Sequence, residues 1–84
     1  MVIHKTDDFL EELLRLPKPV QQLLERQEHI FRENWLDPRL HTKRIKEMPG
    51  VFSFRITRRY RALFYWKGEE AVFFSIGHRK DVYR

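Results

Sequence analysis

Residues 51–66 read VFSFRITRRYRALFYW. The first six alternate, Phe52, Phe54 and Ile56 to one side and Val51, Ser53 and Arg55 to the other, which is the period of a half-buried strand. Tyr60 to Trp66 forms a second, aromatic-rich run. Thr57-Arg58-Arg59 between them lacks the Asn-Gly or Gly signal of a two-residue hairpin turn, so a three-residue loop is expected, with Ile56 opposite Tyr60 and Arg55 opposite Arg61. That register gathers Phe52, Phe54, Ile56, Tyr60, Ala62, Phe64 and Trp66 on one face. Ser53, Arg55, Arg61, Leu63 and Tyr65 fall on the other. A slip of one residue would exchange the two sets on one strand and push Arg61 into the apolar layer, where an unpaired charge is costly.

Such a face needs a cover, and the first half of the chain supplies one. From Thr6 onwards Phe9, Leu10, Leu13 and Leu14 recur at helical spacing, with Asp8 and Glu11 read as a capping box. Leu16-Pro17-Lys18-Pro19 ends that helix. Pro19 suits the first position of a second one, whose stripe is Val20, Leu23, Leu24, Ile30, Phe31 and Trp35. Val2–Lys5 reads as a short first strand, and Ala71 to Ile76 as the last, after a turn at Lys67-Gly68-Glu69-Glu70. The expectation is one α+β domain over residues 1–84: a short N-terminal strand, then a helical hairpin packed on one face of a small antiparallel sheet, in the order β-α-α-β-β-β. Continued alternation puts Val72, Phe74 and Ile76 beneath the helices. Phe73, Ser75, Gly77 and Arg79 then share the open face with Arg55 and Arg61, unless Gly77 marks a bulge that exchanges the sides of His78 and Arg79.

A chain of 84 residues buries only roughly 60 to 65 % of its unfolded surface. Seven Phe, three Tyr and two Trp offset this with large apolar area per residue. The absence of cysteine excludes disulfides, thiolate chemistry and Cys-based zinc sites, and it favours a reducing, cytoplasmic setting. His4, His29, His41 and His78 show no metal-ligand spacing, and three scattered glycines make no phosphate loop, so neither metal nor cofactor is expected. No apolar run suits a signal peptide or a membrane span, so a soluble protein without membrane contact is expected. The net charge is +5, and the excess belongs to the second half: Arg39 to Arg61 holds eight Lys or Arg against Glu47 alone. A basic surface of this kind, taken by itself, points to nucleic acid, an acidic protein partner or an anionic membrane surface.

The order of elements and three strings, FLEELLRLP (9–17), SFRITRRYRALFYW (53–66) and SIGHRKDVYR (75–84), resemble the RelE/ParE superfamily of small bacterial toxins, in particular its RelE-like branch. The resemblance spans nearly the whole chain. It implies a toxin of a type II toxin-antitoxin system that cuts messenger RNA in the ribosomal decoding site until a cognate antitoxin covers it. The arginine of the family's "YR" pair matches Arg61, that of its "G-x-R" segment matches Arg79, and the tyrosine of its "VY" segment matches Tyr83. Arg55 matches a basic residue on the preceding strand. Two departures stand out. Arg55 alone, with serine at 53, represents two expected lysines, which leaves the general base unassigned; and no counterpart of the family's last helix precedes Arg84, which would leave an antitoxin groove open.

Metal-independent RNA cleavage needs the 2′-hydroxyl to attack the adjacent phosphate, build charge on its oxygens and expel the 5′-oxygen. Arg61 and Arg79 suit the first need, because guanidinium offers bidentate bonds to phosphate and stays charged. His78 has the right intrinsic chemistry for proton transfer, though it reads equally as a strand-end residue; Tyr83 would need neighbouring cations to favour its phenolate. Arg55 reads as a catalytic, a substrate-holding or a solvated charge. Arg39, Lys43, Arg44 and Lys46 are candidates for phosphate-backbone contact with messenger or ribosomal RNA, or form a solvated basic loop. Two alternatives to the nuclease are a ParE-like inhibitor of DNA gyrase and a non-catalytic RNA- or partner-binding domain.

Overall fold

The computed structural model describes residues 1–83. A first strand, β1 (Val2–Lys5), leads into helices α1 (Asp7–Leu14) and α2 (Lys18–Glu33). A short 3₁₀ turn at Pro38–Leu40 precedes strands β2 (Lys43–Arg44), β3 (Val51–Arg55), β4 (Tyr60–Lys67) and β5 (Glu70–His78). The five strands form one sheet in the order β1-β5-β4-β3-β2, antiparallel except for β1, which lies parallel to β5. The α+β class is as expected, and two features are added to it. The basic segment after α2 contributes the edge strand β2, and β1 joins the far edge beside β5; the chain between these two parallel strands runs through the helices and β2–β4, well beyond the dozen residues a parallel pair requires. No helix among the described residues is long and apolar enough to cross a membrane.

The hairpin of β3 and β4 has the expected register, with Arg55 opposite Arg61 and the amides of Ile56 and Thr57 both donating to the Tyr60 carbonyl across a three-residue loop. Helix α1 starts two residues earlier than its carboxylates suggest. The hydroxyl of Thr6, not Asp8, is the cap, accepting from the Phe9 amide at 3.1 Å, and this leaves Asp7 and Asp8 in the first turn, where carboxylates favour the helix dipole. Pro19 falls in the first turn of α2, where its missing N–H is harmless.

The helices bury a core of rings. Phe31 of α2 is wholly buried, with Phe64 4.9 Å and Phe73 5.1 Å away edge-on and Phe54 5.3 Å away tilted. Such pairs each add about 0.5–1.5 kcal/mol beyond burial. Trp35, just past α2, packs edge-on to Phe52 and Trp66.

Phe73 corrects the expected alternation along β5. Leu63 pairs with Ser75 but Phe64 pairs with Phe73, so Phe74 is an extra residue, a bulge. Phe73 thereby enters the core beneath the helices, while Phe74 turns to the opposite face against Tyr65. Val72, paired with Tyr65, goes with it. The irregularity sits at Phe74 rather than Gly77, and the pairing of β1 with β5 ends just before it, at Phe73. Beyond that point α1 closes the strand edge, and the Glu12 carboxylate accepts from the Ile76 amide at 3.2 Å.

The face expected to be open is also partly covered. Ile45, Leu63 and Val82 form a second buried cluster with Met48, Val51 and Phe74 around it. The segment after β2 and the C-terminal turn at residues 79–83 thus pack on the side away from the helices.

Candidate functional site

Arg61 stands in the middle of this second face and is only 6 % exposed. Its Nε donates to Ser53 Oγ at 3.0 Å, on the neighbouring strand, and its Nη2 donates to the His41 carbonyl at 2.7 Å. His41 adopts the left-handed conformation at φ 46°, which is uncommon outside glycine, Asn, Asp and His. That conformation closes the 3₁₀ turn, and the same residue's carbonyl accepts from Arg61. Tyr83 completes the surround: its hydroxyl lies 3.4 Å from Ser53 Oγ. Burial pushes the Arg61 guanidinium below its ordinary value, and the charge of Arg55 acts the same way, while Tyr83 partly offsets both through its charge and hydrogen bond. A guanidinium stays protonated under any such shift.

Arg55 lies directly across the ladder from Arg61, so two cations on adjacent strands share one patch. Its Nε is buried and has no hydrogen-bond partner among the described residues, an arrangement that calls for an explanation in a folded protein. Its carbonyl accepts from Gln27 Nε2 at 2.8 Å. The same amide reaches the Arg39 carbonyl at 3.4 Å, so α2 anchors both the end of β3 and the 3₁₀ turn. Gln27 was not anticipated as a positioning residue, although it sits in register with Leu24, Ile30 and Phe31, and a polar residue within an apolar stripe is itself a signal.

The four basic residues of the middle segment divide. Lys43 pairs with Ser53, and its Nζ lies 6.0 Å from the Tyr83 ring centroid. Arg44 pairs with Phe52 and lies over that ring at 5.8 Å. Lys43, Arg44 and Lys46 line a cavity of about 280 Å³ together with Tyr83. Arg39 stands apart, held by Asp37 through Nε–Oδ1 and Nη2–Oδ2 bonds of 3.0 and 2.9 Å. The side-chain and backbone hydrogen bonds from Arg39 lower the Asp37 carboxyl to about 2.

His78 and Arg79 are placed elsewhere. His78 pairs with Tyr60 and meets that ring edge-on at 5.7 Å, so by alternation it belongs to the helical side of the sheet. Its Nδ1 accepts from the Lys80 amide at 3.1 Å. Arg79 lies just past β5 and lines a cleft of about 310 Å³ with Arg58 and Arg59. Of the cations, the structure therefore places Arg61 and Lys43 beside Tyr83 and Arg55 across the ladder from Arg61, with Arg79 and His78 at the strand end and Arg39 engaged locally. A further cavity of about 410 Å³ lies between α1 and Phe74, with Asp8, Glu11 and Glu12 among its lining, and holds none of these candidates. Among the described residues no group of three His, Asp or Glu is placed to hold a metal ion.

No family model matches the chain, and no curated protein matches it in sequence. Solved structures do match. The RelB-RelE antitoxin-toxin complex from Methanococcus jannaschii is similar at TM-score 0.77 and 22 % identity, over 95 % of this chain and 94 % of that one. YafQ from E. coli is similar at TM-score 0.80 and 10 % identity, over 98 % and 97 %. The YoeB/ParE toxin from Agrobacterium tumefaciens is similar at 0.78 and 14 %, over 94 % and 99 %. Nearly the full length of each chain is covered while few residues coincide, so this chain shares the fold of these solved structures.

Proposed function

We propose that this protein is the toxin of a type II toxin-antitoxin system, a ribosome-dependent endonuclease that cuts messenger RNA in the cytoplasm and is silenced by a cognate antitoxin. The observation that carries this reading is the Arg55–Arg61 pair beside Tyr83, with a buried Arg55 Nε that lacks a partner among the described residues. Two like charges held side by side in a partly desolvated patch favour an anion between them, and a phosphodiester supplies one. The fold likeness to toxins, one of them solved with its antitoxin, supports the rest.

In this reading the 2′-oxygen forms a bond to phosphorus and the bond from phosphorus to the 5′-oxygen breaks, leaving a 2′,3′-cyclic phosphate. Arg61 and Arg55 take up the charge that grows on the equatorial oxygens. Ser53 and the His41 carbonyl fix the Arg61 plane beforehand, and that preorganisation is worth about a hundred- to a thousand-fold in rate per donor. Tyr83 exchanges the proton at the reacting oxygens. Arg79 contributes charge from the adjoining strand end, whereas His78, packed against Tyr60 on the helical side of the sheet, takes no part in the reaction. Lys43, Arg44 and Lys46 extend the basic surface towards ribosomal and messenger RNA, while Arg39 stays engaged by Asp37.

Primer extension on messages translated in a purified system tests this. The protein should generate new 5′ ends inside codons only when ribosomes are present. Tyr83→Phe, at an exposed position, should lower the cleavage rate by about a hundredfold or more while the unfolding transition is unchanged; Arg61→Lys should lower the rate comparably by removing the planar fork, with a loss of stability because the bonds to Ser53 and to the His41 carbonyl go with it. Intact message together with blocked gyrase supercoiling would select the gyrase inhibitor instead; both activities missing would leave a binding domain.

A further inference from the structure

We propose that Arg58, Arg59 and Arg79 form a second phosphate-binding cleft, which holds the RNA backbone one nucleotide away from the phosphate engaged by Arg61. The three side chains are exposed and are the only lining of the 310 Å³ cleft among the described residues. None of the three guanidiniums makes a hydrogen bond or ion pair to another described residue; the ion pairs found, Lys5–Glu28, Arg32–Glu28 and Arg39–Asp37, lie elsewhere. Long cationic side chains on a surface ordinarily splay apart in water or find carboxylates. Three that converge on one cleft repel one another, and an anion bound between them removes that cost.

The backbone beneath the cleft is held on both sides. The Thr57 hydroxyl accepts from the Arg59 and Tyr60 amides at 3.1 and 3.2 Å. The Arg79 amide donates to the Arg59 carbonyl at 2.7 Å, which extends the β4–β5 ladder by one pair beyond Tyr60–His78. Arg59 and Arg79 therefore sit two residues along from Arg61 and Gly77, a step of about 6.7 Å in extended chain and close to one nucleotide of an extended single strand. Arginine suits such a site because its fork takes two phosphate oxygens at once. No apolar side chain lines the cleft, so it offers a protein segment little beyond charge. The one-nucleotide spacing rests on the nuclease reading above; the cleft as a phosphate site does not.

The test separates the two. A fluorescein-labelled 2′-O-methyl RNA dodecamer lacks the attacking hydroxyl, so its binding by anisotropy at 50–300 mM KCl reports phosphate contact without cleavage. Arg58→Gln/Arg59→Gln should weaken binding at least about tenfold at the low-salt end and reduce the slope of log Kd on log salt by about 0.7–1.4, the release expected for one or two single-strand phosphates. Arg58→Lys/Arg59→Lys should recover most of the slope. Lys18→Gln/Arg26→Gln removes the same charge from the exposed side of α2 and should change binding less than threefold. No binding by the wild type at 50 mM KCl, or equal losses in the two glutamine variants, would overturn the cleft. Loss of binding confined to a decaglutamate peptide would assign it to an acidic protein and overturn it too. A selective loss on the dodecamer in a protein that never cuts message would retain the cleft and discard the nuclease.

Discussion

Replacing Phe73 and Phe74 one at a time by alanine distinguishes the observed bulge from an uninterrupted strand. Phe73 is wholly buried, and its ring lies within 5.1–6.1 Å of those of Phe9, Phe31, Phe54 and Phe64. Truncating such a residue costs about 3–5 kcal/mol, transfer and cavity together. Phe74 is half-buried, beside the smaller cluster, with one ring neighbour in Tyr65 at 5.6 Å, and its truncation should cost about 1–2 kcal/mol on area alone. Whole domains of this length are stable by about 4–13 kcal/mol, so Phe73→Ala removes a large share. Urea unfolding followed by far-UV circular dichroism reads both: with a slope of about 1.5 kcal/mol/M, the midpoint should drop by about 2–3 M for Phe73→Ala and by about 1 M for Phe74→Ala. Should the first variant fail to fold, Phe73→Leu and Phe74→Leu give the same ordering at smaller scale. A Phe74 variant as damaging as its Phe73 counterpart would refute the bulge and restore strict alternation along β5.

Gln27→Leu fills the same space with apolar atoms but leaves the Arg55 carbonyl without its 2.8 Å donor; it should destabilise by about 1–3 kcal/mol and speed hydrogen exchange near Arg55, whereas equal or greater stability would show that the amide is dispensable. For Asp37, whose carboxyl lies at about 2 against an ordinary 3.8, the folded value is the lower one. Its contribution is thus complete above 3.8 and lost as pH falls through about 2. A carbon-detected NMR titration should find the midpoint near 2 in the wild type and higher in Arg39→Ala, though still below 3.8 because the backbone amide at position 39 continues to donate to the carboxylate, with the wild-type value rising in high salt because the pair is solvent-exposed.

Several of these features were legible before the fold. The β3–β4 register followed from side-chain period and from the cost of burying Arg61 under the helices, two local constraints that agree. The helical hairpin followed from apolar spacing and from Pro17 and Pro19. The pairing of Arg55 with Arg61 was therefore readable. The covering of Arg61 was not, because the Ser53 hydroxyl, the His41 carbonyl and the Tyr83 phenol reach it across 8, 20 and 22 positions of sequence. No local pattern marks a carbonyl as a future hydrogen-bond acceptor.

The letters alone determined which residues alternate, where helices stop and where positive charge accumulates, since each of these depends on neighbours a few positions away. Tertiary structure decided which of two adjacent phenylalanines enters the core, because Phe73 and Phe74 are chemically identical and only the gap among Phe9, Phe31, Phe54 and Phe64 distinguishes them. It likewise decided that the sheet's second face is roofed around Arg61. That roof forms from residues 41–48 and 79–83, which carry weak local preferences and take their shape from the apolar surface of Leu63 and Phe74 beneath them.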